Sequence, residues 1–156
     1  NAEGEGAVTI RDLIKSALRM RPDRIVVGEV RGEETVDMIS SAMLNGHSGS
    51  MSTGHANNPS DMLHRIETMM MMGIDLPLHA IQRQVASALD LIIHLGRLRD
   101  KTRKVLMIEE ILGYGKIRTK TLYEFKEMGM EDEKIKGSLM KVGDLENRGK
   151  LMAAGY

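Results

Sequence analysis

An α/β fold is predicted, with a parallel core and an antiparallel extension at one edge. Three observations predict it. In the first half, short apolar strand segments alternate with helices of 3.6-residue period, the order that builds parallel sheets. After Asp90 the period becomes that of strands, and a polar turn between two β-rich runs marks a hairpin. The length of 156 residues suits one domain, and a composition 42% apolar and 28% charged is that of a globular chain.

Each element follows from local signals. Thr9 with Asp12 forms a capping box, after which Ile10, Leu13, Ile14, Ala17 and Leu18 share one helical face until Pro22. Residues 24–28 read as a short buried strand. Glu33 and Glu34 favour a helix start, and Val36, Ile39 and Met43 carry it to Asn45-Gly46. "GSMSTGHAN" is a small-residue strand ending in a polar loop. Asn58 caps and Pro59 starts a third helix with Met62, Leu63, Ile66, Met69 and Met70 inward, broken by "GIDLP". The run Met69 to Met72 reads as core filler rather than a metal site. A fourth helix covers Leu78 to Leu89, with Ile81, Val85 and Leu89 inward. "LIIHLGRLRD" and "RKVLMIEEILGY" flank the turn Asp100-Lys101-Thr102, and "KIRTKTLYEF" adds a strand. The tail reads as a charged loop containing "EDEK" at 131–134, a strand at Ile135 to Met140 and a helix from Asp144.

Composition removes several function classes. The 22 basic and 22 acidic residues balance, so no global field draws the chain to nucleic acid. The absence of cysteine excludes disulfides and thiolate metal sites. No apolar run approaches the ~18 residues of a membrane span. His47 and His55 lack the third ligand zinc requires, and His64, His79 and His94 read as structural.

Two strand ends carry polar groups. The first delivers Glu29 and Arg31, the second Ser52, Thr53 and His55. Open α/β sheets bind ligands outside the carboxyl ends of such strands. A carboxylate there can position or deprotonate a water, and a His or Thr can bond a phosphate oxygen.

The stretches "LRMRPDRIVVGEVRG", "GHSGSMSTGHANNPSDMLHRIETM" and "LPLHAIQRQVASALDLIIHLGRLRD" resemble the secretion ATPases of the type II/type IV superfamily. Within it the chain is similar to the Tad (Flp) pilus assembly ATPases, the CpaF-like branch, and the likeness extends to "TLYEF" and the closing "AAGY". The resemblance implies a RecA-like P-loop NTPase core, mostly parallel sheet with an antiparallel hairpin extension, truncated at its N-terminus. Residues 1–156 would be the C-terminal part of that ATPase domain. Arg24 to Glu29 matches an atypical Walker B, with Gly28 where many NTPases carry the Mg²⁺-linked Asp and Glu29 as the acid that polarises the attacking water. Gly46 to His55 matches the His box, whose second histidine, His55, approaches the γ-phosphate. Arg19, Arg21, Arg31, Thr53 and His47 fall among the nucleotide and subunit-interface positions.

One part of the pattern is absent. The phosphate loop G-x-x-x-x-G-K-[ST] is not found, since Gly115-Lys116 and Gly149-Lys150 are followed by Ile117 and Leu151. The resemblance puts that loop, the Asp box and an N-terminal domain upstream, so Mg²⁺ would be held through the missing loop and by no residue of this chain directly. It also implies ATP and Mg²⁺ as cofactors, a homo-hexamer, partners in an inner-membrane pilus or secretion platform, and a cytoplasmic location at the inner face of the membrane. The chain alone is expected to be inactive. The alternative is a non-catalytic α/β interaction module that kept the fold, and a phosphate loop upstream separates the two.

Overall fold

A computed structural model describes residues 6–113 and 117–156, so the Gly115-Lys116 pair lies outside the described residues. Helix α1 (Ile10–Leu18) opens on the expected capping box. Asp12 N–H donates to Thr9 Oγ1 at 3.2 Å, and Thr9 N–H donates to the Asp12 carboxylate at 3.0 Å. Of its apolar face Ile14 is buried, whereas Ile10 and Leu13 stay exposed because they border a groove. Charge also ties α1 down: Arg11 Nε donates to Asp37 at 2.5 Å and a second nitrogen lies 3.2 Å from Glu33.

Strand β1 (Val26–Val27) is shorter than the predicted 24–28 and pairs in parallel with β2 (Met51–Ser52). Hydrogen bonds extend the pairing at both ends, Met51 N–H to Ile25 O at 3.0 Å and Val30 N–H to Thr53 O at 3.1 Å. β1 is not the buried strand expected. Ile25 and Val30 turn inward, but Val26 is 67% exposed beside an exposed Met51, because no described element covers that face of the pair.

Between the two strands, α2 (Glu34–Val36) runs into seven π-helical residues, Asp37–Met43. The sequence predicts an ordinary helix here. The wider turn, seen where Leu44 N–H reaches Ile39 O at 3.2 Å, accompanies a continuous buried run over residues 35–39. An ordinary amphipathic stripe leaves gaps in such a run. Gly46, at φ +92°, ends the segment as predicted.

Helix α3 (Pro59–Gly73) is capped by Asn58, whose side chain accepts Asp61 N–H at 2.8 Å. It packs with α4 (Leu78–Ala88) and the π segment around Met38, Met70, Ile81 and Val85. Met69 and Met70 enter the core while Met71 and Met72 face out, so half of the methionine run fills space.

Strands β3 (Leu91–Arg97), β4 (Arg103–Leu112), β5 (Arg118–Glu131) and β6 (Lys134–Lys141) form an antiparallel meander in chain order. Among the described residues the fold is therefore α/β with one parallel and one antiparallel sheet. The antiparallel sheet is the larger, where the sequence suggested a mostly parallel sheet with a hairpin attached. The difference comes from β5, which continues through Gly129 to Glu131. Asp132 and Glu133, at φ +50° and +60°, then turn straight into β6. Residues 131–134, expected as a loop, are thus a tight hairpin tip. The first hairpin is tied to this one, since Asp100 accepts N–H from Thr102 at 2.9 Å and from Ile135 at 2.7 Å.

The last helix, α5 (Gly149–Ala153), begins later than the predicted Asp144. The reason is local. The N–H groups of Glu146 and Asn147 donate to the Glu110 carboxylate at 2.9 and 2.7 Å, which holds that backbone against β4 instead of in a helical turn. Among the described residues no helix is long and apolar enough to cross a membrane.

Candidate active site

The carboxyl ends of β1 and β2 are fastened side by side. Thr53 Oγ1 donates to Gly28 O at 2.5 Å, and Val30 N–H donates to Thr53 O at 3.1 Å. Glu29 leaves β1 directly after that clamp, and His55 leaves β2 two residues beyond Thr53. The two side chains meet: His55 Nε2 lies 3.0 Å from Glu29 Oε1. Arg31 takes the other oxygen, its Nη2 donating to Oε2 at 2.5 Å. The Glu29 side chain is 19% exposed, against 73% for Arg31 and 81% for His55. A partly sheltered carboxylate thus sits beneath two solvent-facing donors.

Electrostatics follows from this arrangement. The hydrogen bond from Arg31 holds the Glu29 carboxyl below the usual range, and the charges of Arg31, His55 and Arg65 add to it against the opposing effect of desolvation. The Arg31 guanidinium is held above its ordinary value by the same bond. Glu34 shapes the turn between them, accepting the backbone N–H of Arg31 at 2.6 Å and of Gly32 at 3.0 Å.

A groove of about 510 Å³ runs along β1 to this cluster. Ile10, Leu13, Ala17 and Val26 line it, and Glu29 with Arg31 lies at its polar end. Chemically, this is an apolar surface leading to one carboxylate, one guanidinium and one imidazole. Such a site can orient a water and bond an anion's oxygens.

The remaining candidates lie elsewhere. His47 Nδ1 is 2.8 Å from Pro22 O, so its ring fastens the loop after the π segment to the connection four residues before β1. Arg19 and Arg21 are exposed on the connection from α1, at the amino end of β1 and away from Glu29. Arg21 adopts φ +54° there. The structure therefore gathers Glu29, Arg31, Thr53 and His55, and leaves Arg19, Arg21 and His47 at the opposite strand end. Two residues of the neighbourhood were not singled out from the sequence. Arg65 on α3 adds its charge to Glu29, and Glu34 braces the Arg31 turn. Helical spacing could have found Arg65: Met62, three residues earlier, packs at Gly54 in the loop after β2.

ATP and Mg²⁺ test the site from its donors. Arg31 and His55 suit phosphate oxygens, but among the described residues no three acidic or His side chains converge as a metal site. The donors suit the oxygens of a phosphate and offer no set of metal ligands among the described residues.

A family model described as "Type II/IV secretion system protein" matches residues 1–137. A Mycobacterium tuberculosis protein named for conjugal transfer is 41% identical over 134 residues, covering 85% of this chain and 37% of its own length. The type IV secretion system protein VirB11 of Brucella abortus is 35% identical over 96 residues, 60% of this chain and 26% of its own. The crystal structure of the VirB11 ATPase from the Brucella suis type IV secretion system, in complex with sulphate, superimposes with a TM-score of 0.62. It shares 31% identity and covers 66% of this chain and 32% of that one. The chain thus spans between 26% and 37% of the length of these relatives.

Proposed function

The chain belongs to the type II/IV secretion system protein family, and we propose that it is the C-terminal part of a RecA-like motor ATPase that drives secretion or pilus assembly. The observation that carries this reading is the 3.0 Å contact between Glu29 and His55 at the shared carboxyl edge of a parallel strand pair. Glu29, ending a Walker B strand, orients the attacking water and takes its proton. The nucleotide supplies the phosphoanhydride bond that is broken. His55 holds Glu29 from above and faces the γ-phosphate. Thr53, clamped to Gly28, fixes the distance between the two strand tips. Arg31 belongs to the same edge, while Arg19 and Arg21 suit a boundary with a neighbouring subunit of a homo-hexamer.

The phosphate loop, the Mg²⁺ ligands, the Asp box and an N-terminal domain are proposed to lie upstream. Two features support this. The parallel pair has only two strands, and its Val26–Met51 face is apolar and uncovered by any described element, as expected where further sheet and helix pack. The relatives extend well beyond the matched region. Within the family the quoted motifs favour the Tad, CpaF-like branch, acting at the cytoplasmic face of the inner membrane with platform proteins.

Two outcomes test the proposal. The 156-residue chain should show no micromolar affinity for Mg·ATP in isothermal titration, because it has no phosphate loop. Tight binding would overturn the assignment of that loop to an upstream segment. In the complete protein, His55→Ala should lower hydrolysis by roughly two powers of ten, the lower range for losing one positioned donor. ADP affinity should change little. Equal hydrolysis in the variant would return His55 to the status of a solvent-exposed salt-bridge partner.

A further inference from the structure

We infer that Arg31 is a positioning residue that keeps Glu29 in a resting arrangement, the acid becoming a competent base only when Arg31 releases it. The inference rests on the reading of Glu29 proposed above.

Both oxygens of Glu29 are occupied, Oε2 by Arg31 Nη2 at 2.5 Å and Oε1 by His55 Nε2 at 3.0 Å. A base that receives a proton from water needs an accessible lone pair directed at that water. The Arg31 contact is charge-assisted, so it competes with a water for Oε2, while its exposure keeps the pair weak enough to break. It also weakens Glu29 as a base, because the same bond lowers the proton affinity of the carboxylate and base strength follows pKa. The paired acid is thus partly covered at Oε2 and weakened by one partner.

The surroundings allow Arg31 to leave. Its side chain is 73% exposed. A second carboxylate, Glu34 at the start of α2, attracts the guanidinium as well. Glu34 also holds the backbone N–H groups of Arg31 and Gly32. The guanidinium can therefore swing from Glu29 toward Glu34 without moving the strand tip. The other basic side chains facing Glu29 stay behind: His55 on the loop after β2 and Arg65 on α3. Released Glu29 remains ionised at neutral pH and gains a free oxygen. In the step it serves, water gives its proton to Glu29 and its oxygen to phosphorus, and the bond to the leaving phosphate oxygen breaks. Arg31 takes no proton.

The test compares Arg31→Gln, Arg31→Lys and Glu29→Gln in the complete protein. Arg31→Gln should raise basal turnover, roughly threefold to tenfold, by freeing and strengthening the base. Arg31→Lys, with a single point-like donor group, should fall between it and wild type. A second readout needs no nucleotide: carbodiimide labelling of Glu29, mapped by mass spectrometry across pH. Its midpoint should move to higher pH in Arg31→Gln, since a carboxyl relieved of the guanidinium protonates more readily. Turnover at or below wild type in Arg31→Gln, or an unmoved labelling midpoint, overturns the inference. Loss of turnover in Glu29→Gln with no gain in Arg31→Gln overturns it alone. Wild-type turnover in Glu29→Gln overturns the reading of Glu29 and this inference with it.

Discussion

Glu29→Gln in the complete protein is expected to lower turnover by about two powers of ten or more, some 3 kcal/mol of barrier. Nucleotide affinity should stay within a few-fold of wild type, because in the proposed role the group acts on water in the transition state and not on the bound ground state. The amide has the shape of the carboxylate and still accepts the His55 donor at one oxygen, so the strand tip keeps its contacts. What it lacks is the ability to take a proton. The loss of the Arg31 ion pair costs the fold little, since Arg31 faces solvent and exposed pairs contribute about 0–1 kcal/mol. Steady-state phosphate release and a separate nucleotide titration measure the two quantities. Turnover within threefold of wild type would make Glu29 a structural partner of Arg31 and His55 and nothing more.

The helices and the strand tips were legible because each has a local cause. The Thr9–Asp12 box, the Asn58 cap and the Gly46 terminator all lie where the sequence puts them. Glu29 and His55 were legible for a different reason: each follows a short strand, and parallel pairing brings such ends to one edge. The π segment was not legible, because its width reflects burial of residues 35–39 on several sides, a tertiary demand that no period in the sequence displays. Nor was the exposure of Val26. An apolar triplet such as Ile25-Val26-Val27 reads as buried, yet burial depends on what covers the second face, and here the described residues cover only one. His47 shows the same limit at a single side chain. Beside a glycine in a polar box it suggests a ligand contact, while in space its ring bonds to a carbonyl 25 residues earlier. The length of β5 was hidden by composition, since "MGMEDEK" carries loop-like charges on what is a protruding two-stranded ribbon.

The Glu109-Glu110 pair shows how a buried acid can specify a chain terminus, and Glu110→Ala is the second change with a large expected effect. Glu110 is 1% exposed in the interior of β4. A carboxylate in that position would be costly unless its lone pairs were used. Two are, by the backbone N–H groups of Glu146 and Asn147 at 2.9 and 2.7 Å. Around this anchor the tail has weaker ties, Lys120 to Glu146 at 2.8 Å and Lys150 to Asp90 at 2.6 Å, both solvent-facing ion pairs. Hydrogen bonds to a charged group contribute about 1.5–3 kcal/mol each, whereas exposed pairs contribute about 0–1. Glu110 therefore holds the tail more firmly than its ion pairs do. Removing it leaves two amides with no protein acceptor, and the largely exposed segment from 144 to 148 should detach to hydrate them. In the complete protein, hydrogen exchange at Glu146 and Asn147 should accelerate by roughly ten- to several-hundredfold. Asp90→Asn should change it by less than about fivefold, from the smaller energy of an exposed pair. Glu110→Gln should fall between, because one carbonyl oxygen can serve one of the two amides while its NH₂ opposes the other. Unaltered protection at those two amides in Glu110→Ala would show that the ion pairs, and not the buried carboxylate, fix the end of the chain.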